Sequence, residues 1–359
     1  MKQLCSFLLL AVTALAALPV PDAGACTTFC LKRGSEAVFG KNYDWSVGDG
    51  LVIVNKRGVA KTADLPPQEK PAQWTSKYGS VTFNQYGREF PSGGMNEAGL
   101  TVELMWLDET RYPDPDGRPV LGCLEWIQYQ LDNFATVAEV VKNAGRLRIS
   151  SMARIHFLAC DRGGSCAAVE FLDGKPVVHA GASLPARALT NDTYEESLRF
   201  REGSRGNAGA LQGAGSLQRF VRASQRVDDY AARGTDDPVR YAFETLDAVA
   251  QGSFTRWSIV YDLRAGRVHW RTRENRRVRS AALSAFDFSC AAPVKLLGID
   301  EGEGDVARRF ADYTPEANRK LVVSSIRQTS FLAGMPPEMV AATARHAEST
   351  SCRAGGGKR

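Results

Sequence analysis

Ala23-Gly24-Ala25-Cys26-Thr27-Thr28-Phe29 is the stretch on which the reading of this 359-residue chain turns. On its N-terminal side, Lys2 precedes an apolar run from Phe7 to Val20, broken only by Thr13 and closed by Pro19 and Pro21. The run is short for a membrane span, which needs about 20 apolar residues. It fits a secretory leader over residues 1–25, with Ala23-Gly24-Ala25 as a small-residue cleavage site. Cutting after Ala25 makes Cys26 the first residue of the mature chain.

An N-terminal cysteine carries a thiol and an α-amine on neighbouring carbons. The free amine has a pKa of about 7.7–8.0, close to the optimum for a general base at neutral pH. Activation of a side-chain nucleophile by the N-terminal amine is a recognised route to covalent catalysis. Two other readings stay open. Cys26 is a structural thiol that happens to follow the cut, or it is a lipidated cysteine, which Ala23 at the third position before it disfavours.

Residues 26–359 are long enough to bury one sizeable core and show no linker or repeat. The chain is formally +5, from 45 basic and 40 acidic residues, without a basic run interleaved with aromatics. A nucleic-acid partner is therefore not expected. Beyond Cys26 the mature part holds Cys30, Cys123, Cys160, Cys166, Cys290 and Cys352, none in C-x-x-C spacing. His156, His179, His269 and His346 are scattered, so no metal site is expected, although a Cys–His dyad stays open because partners need only meet in space. No glycine-rich phosphate loop follows a strand in the required context. Cys160 and Cys166 flank a tight turn, where facing strand positions come within reach of a disulfide.

Along the chain, Thr27 to Leu31, Ala37 to Trp45, Leu51 to Val54, Ser80 to Phe83 and Leu100 to Trp106 read as strands. The last is entered through a turn at Gly93 to Gly99. Cys123 to Leu131 has helical spacing, and Thr136 with Glu139 forms a capping box that opens a second helix. Hairpins follow at Ile155 to Leu172 and Trp257 to Trp270. Asp237-Pro238 starts a helix that Gly252 stops; Thr314-Pro315 and Pro336-Pro337 start two more. Arg201 to Gly215 reads as a long functional loop and Gly355 to Arg359 as a frayed tail. Strands and helices come in blocks, which argues for stacked antiparallel sheets with segregated helices.

Cys26-Thr27-Thr28-Phe29, Phe39-Gly40-Lys41-Asn42-Tyr43-Asp44-Trp45, Gly94-Met95-Asn96-Glu97-Ala98-Gly99-Leu100, Leu189-Thr190-Asn191-Asp192 and Ser216-Leu217-Gln218-Arg219-Phe220 occur in one order. In this the chain resembles the choloylglycine hydrolase family, which includes penicillin V acylases and conjugated bile salt hydrolases among the N-terminal nucleophile hydrolases. Trp257 to Asp262 is similar too, and the likeness extends from residue 26 to about 275. It implies an α+β, four-layer αββα fold and a linear amide hydrolase working through a thioester without a cofactor. Position by position, it implies Cys26 as nucleophile, Asp44 as the carboxylate holding its amine, Asn191 as an oxyanion donor and Arg219 as the active-site arginine. Lys41 stands where the family usually has arginine, keeping the charge but losing the planar fork. Trp106 falls on the family's second oxyanion position, where an indole N–H would have to donate.

Trp45 and Trp106 suggest a narrow aromatic slot for the acyl group of a small-molecule amide. Penicillin V, then N-acyl homoserine lactones, fit such a slot better than conjugated bile salts. The expected protein is exported and periplasmic, not held at a membrane after leader cleavage, with homo-oligomerisation left open. The rivals are a conjugated bile salt hydrolase, a Cys–His peptidase, and an exported binding protein or lipoprotein without catalysis.

Overall fold

Thr27–Arg33, rich in β-branched and aromatic residues, folds back through Gly34-Ser35 onto Glu36–Asp44, with Thr28 opposite Lys41 and Cys30 opposite Phe39. Gly34 has φ +55°, which the tight turn requires and which glycine adopts without strain. This hairpin supplies the second and third strands of a seven-stranded sheet. Ala188–Leu189 flanks it on one side, and Thr255–Asp262, Arg267–Thr272, Arg279–Ala282 and Gly304–Asp305 continue on the other. The computed structural model describes residues 26–65, 68–207, 209 and 212–353. The leader expected over residues 1–25 and the tail expected at 355–359 lie outside the described residues.

A nine-stranded sheet faces the first. In spatial order it comprises Lys175–Ala180, Cys166–Leu172, Ile155–Cys160, Thr101–Trp106, Pro91–Asn96, Ser80–Asn84, Leu51–Asn55, Lys295–Gly298 and Ala311–Asp312. Helices α1 (Cys123–Asn133) and α2 (Val137–Asn143) cover its outer face. The first sheet is covered by α4 (Ser216–Arg233) and α5 (Pro238–Ala248), with α3 (Tyr194–Gly203) against α4. Helix α4 buries Phe220, Ala223, Val227 and Tyr230, an apolar stripe at helical spacing. The layers are therefore αββα, as the resemblance implied. Helices α6 (Pro315–Gln328) and α7 (Pro337–His346) pack on each other over a separate apolar cluster of Val322, Ile326, Val340 and Ala344.

Several local expectations change. Gly93 and Gly94 lie in the strand Pro91–Asn96, not in a turn. A side chain at Gly94 would meet the backbone of Val81 and Thr82 on the next strand, so glycine here marks close approach. The loop after α3 is shorter than expected, because that helix runs to Gly203. Helix α5 stops at Ala248, and Gly252 opens a short 3-10 turn instead.

Cys160 pairs with Cys166 in register across the hairpin and is bonded to it. A second disulfide, Cys290–Cys352, spans 62 residues and ties the chain after α7 to the second sheet's flank. Its removal in Cys290→Ser is expected to cost about 2–4 kcal/mol, because closing so long a loop restricts the unfolded chain. Denaturant unfolding of the oxidised protein checks this; a loss below about 0.5 kcal/mol would show that the cross-link is superfluous.

Candidate active site

Strand pleat decides where each side chain of the N-terminal hairpin points. Thr28 Oγ1 donates to Met105 Sδ on the second sheet (3.3 Å), which places Cys26 on that same inner face. Thr27, one residue out of phase, faces the helices and accepts at Oγ1 from Arg219 of α4 (2.6 Å). On the neighbouring strand Lys41 and Tyr43 point inward. Asn42 and Asp44 point toward the helices, with Asn42 Nδ2 donating to Leu246 O (2.7 Å).

Cys26 is 2% exposed, and its Sγ lies 3.9 Å from the Asp44 carbonyl oxygen. Burial pushes the thiol up from its ordinary value, while the Lys41 charge pulls it down and the Asp44 charge raises it further. Asp44 is fully buried. Burial pushes its carboxyl up to about 6, against the Thr255 hydrogen bond and the Arg219 and Lys41 charges. Its Oδ1 accepts from Thr255 Oγ1 (2.5 Å), whereas Oδ2 has no hydrogen-bond donor among the described residues. An unpaired buried carboxylate oxygen is costly unless a cation or donor reaches it.

Arg219 is also interior. Its Nη1 donates to Cys26 O (2.8 Å), its Nη2 to Asn191 Oδ1 (2.8 Å) and its Nε to Ala214 O (3.2 Å). Desolvation lowers its pKa, and Asp44 opposes that. Asn191 is oriented from both ends: Arg219 holds its oxygen, and its Nδ2 donates to Trp106 O (2.8 Å). Ser216, first residue of α4, accepts from the Asn191 N–H (2.8 Å) and donates to Thr190 Oγ1 (3.0 Å). Four residues from distant parts of the chain, Cys26, Asp44, Asn191 and Arg219, are thus joined by direct contacts and charge. Lys41 is buried beside them, donating to Leu104 O, with Glu103 Oε2 4.0 Å away.

Above Cys26 opens a cleft lined chiefly by carbon from Trp45, Leu104, Trp106, Met152, Phe331 and Leu332. The expected narrow slot between two indoles is not what forms. Trp45 and Trp106 stand 6.0 Å apart, centre to centre, and tilted by 33°, too close to admit a ring between them. They make one continuous wall, to which Phe331 adds a third ring, 5.9 Å from Trp106 and 6.3 Å from Trp45. The Trp106 indole N–H donates to Asp108 Oδ1 (2.8 Å), so it is the backbone carbonyl of Trp106 that meets Asn191. The Trp45 indole donates to Tyr86 Oη (3.0 Å).

Sequence reasoning missed Thr255, Ser216 as a prop, Glu103 and Phe331. Ser216 opens a motif that the sequence shows, but its role depends on where α4 packs; the others arrive through sheet register or through the helical pair α6–α7. No histidine is among the residues lining the cleft. His156 instead contacts Glu170 Oε1 (3.1 Å) and Thr190 O (2.7 Å), and His346 stacks near Phe90, so the Cys–His dyad has no geometry behind it. The sulfurs of Cys30, Cys160 and Cys166 cluster within 4.8 Å, but two are joined in the disulfide, which withdraws them as metal ligands.

Residues 26–202 match the sequence profile of the linear amide C–N hydrolases, choloylglycine hydrolase family. Over 174 residues the chain is 34% identical to penicillin V acylase of Pectobacterium atrosepticum, covering 42% of this chain and 46% of that protein. The match thus spans about half the length of that curated relative. The solved penicillin V acylase from Agrobacterium tumefaciens superposes with a TM-score of 0.71 at 29% identity, over 81% of this chain and 98% of that one. A variant of conjugated bile acid hydrolase from Clostridium perfringens shares the fold, with a TM-score of 0.65 at 17% identity over 78% of this chain and 98% of its own. Profile, relative and fold agree on one assignment: the chain belongs to the choloylglycine hydrolase family of linear amide C–N hydrolases.

Proposed function

We propose that this protein is an exported, periplasmic penicillin V acylase that uses Cys26, freed at the mature N-terminus, as nucleophile. The observation that carries this reading is the buried Asp44 Oδ2, left without a donor among the described residues, on the strand beside Cys26. An α-ammonium at Cys26 is a cation of the size and charge that such an oxygen lacks. The uncharged amine takes the thiol proton as Sγ attacks the amide carbonyl carbon. The resulting oxyanion is stabilised by the Asn191 carboxamide N–H, which Arg219 and the Trp106 carbonyl hold in place. Collapse breaks the C–N bond, and the ammonium passes its proton to the departing nitrogen. Water, deprotonated by the same amine, then cleaves the thioester and returns the thiol.

For the acyl group, the ring wall of Trp45, Trp106 and Phe331 offers a flat stacking surface to a phenoxyacetyl group and apolar contact to an extended alkyl chain. Penicillin V is therefore the expected substrate and N-acyl homoserine lactones the second. Specificity constants for these two and for glycine- or taurine-conjugated bile salts test the reading, and a preference for bile salts would overturn it. Trp106→Ala is expected to lower kcat/KM for penicillin V up to about tenfold, since aromatic contacts contribute about 0.5–1.5 kcal/mol beyond area burial. Mass spectrometry of the mature N-terminus separates this reading from a non-catalytic lipoprotein, which would carry a diacylglyceryl adduct on Cys26.

A further inference from the structure

Glu103 lies outside the cleft and is fully buried beside the Lys41 ammonium. It sits on the strand Thr101–Trp106 with its side chain turned into the space between the sheets. Its Oε1 accepts from Tyr261 Oη (2.5 Å), and Oε2 is 4.0 Å from Lys41 Nζ. The Tyr261 ring is clamped edge-on by Phe39 and Phe83, each 6.0 Å away. Across the strand pair, a Cβ at residue 93 would fall 2.1 Å from the Glu103 carboxyl carbon, so Gly93 is what leaves room for the carboxylate. Three separate elements are thus shaped around one acidic group.

The other titratable groups about Glu103 are few. Lys41 and Tyr43 approach from Glu36–Asp44 and Tyr261 from Thr255–Asp262. Pro91–Asn96 supplies no ionisable side chain. On Ile155–Cys160, His156 is engaged by Glu170 and Thr190. Lys41 therefore has Glu103 as its near counter-charge, and Lys41 in turn acts on Cys26 by charge. Burial pushes Glu103 itself up to about 7, against the Lys41 charge and the Tyr261 hydroxyl, so Tyr261 helps keep it ionised near neutrality.

We propose that Glu103 is a positioning residue for amide hydrolysis, holding the Lys41 side chain in place so that its charge stays beside the Cys26 sulfur. The proposal rests on the reading of Cys26 as nucleophile, so its test reads the sulfur independently of turnover. The rate of Cys26 alkylation by iodoacetamide is followed against pH on the mature protein, at the level of the Cys26 peptide, together with kcat and KM for penicillin V. In Glu103→Gln the alkylation profile is expected to move to higher pH by about one unit, with kcat at neutral pH falling about tenfold and KM unchanged. Tyr261→Phe, which keeps the carboxylate but removes its donor, should shift the profile the same way by a smaller amount. It also answers the question if Glu103→Gln fails to fold. A profile that stays in place, or moves to lower pH, in a folded variant overturns the proposal. If the profiles shift as expected but the wild type cleaves no amide, the function assigned above fails and the role of Glu103 at the sulfur stands.

Discussion

A chain in which a residue that cannot be removed precedes Cys26 is expected to fold fully and to hydrolyse penicillin V at least about a thousandfold more slowly than the mature protein. The base of the proposed mechanism is the Cys26 α-amine, and a peptide N–H in its place cannot accept a proton. General base catalysis alone is worth about 10²–10⁴ in rate. Burial raises the thiol, so without an adjacent base little thiolate forms at neutral pH. The same blocked chain should differ in stability, with a sign that follows from Asp44. Its carboxyl, pushed up to about 6, favours the folded state while protonated. That contribution is complete below the ordinary carboxyl value of about 3.9 and lost as pH rises through about 6, amounting to about 3 kcal/mol. In the mature chain an ammonium beside Asp44 Oδ2 would offset the loss. Thermal unfolding of both forms should therefore diverge as pH rises from 4 to 7, the blocked form melting several degrees lower. Equal turnover by the two forms would refute the amine mechanism, and parallel melting curves would remove Asp44 from its place beside the amine.

Asn191→Ala is expected to lower kcat for penicillin V by about 10²–10³, the usual effect of losing one oxyanion donor, with KM within a few-fold of its original value. The carboxamide serves the charge that develops during attack, not the bound ground state. The alkylation rate of Cys26 should change little, because the Asn191 carboxamide is engaged by Arg219 and the Trp106 carbonyl. Its oxygen does brace Arg219 (2.8 Å), so Asn191→Asp is a useful companion. Aspartate keeps that acceptor but replaces the donor with a second oxygen, and should lose as much kcat as alanine. A variant whose KM rises while kcat holds would show that Asn191 binds substrate uniformly, and the oxyanion role would have to be given up.

Short-range pattern carried much of this molecule. The β-rich residues after Cys26 and the capping box of Thr136 with Glu139 are local, and each forms where the sequence places it. The cysteines on either side of Asp161 to Ser165 meet because a tight hairpin leaves them no other partner position. Cys26, Asp44, Asn191 and Arg219 were legible because the residue types and their order recur in a family, although 193 residues separate Cys26 from Arg219. What the sequence could not show is which side chains meet across the sandwich. Whether Glu103 faces Lys41 depends on the register of strands from two different sheets and on the parity of each pleat; a shift of one residue would turn either outward. Phe331 joins the ring wall only because α6 and α7 fold against Tyr86, and Trp106 became wall instead of oxyanion donor because Asp108 takes its N–H. Backbone propensity and turn chemistry act over a few residues and can be read directly. Charge pairing and cleft shape arise from contacts between distant segments, which only the packed sheets and helices decide.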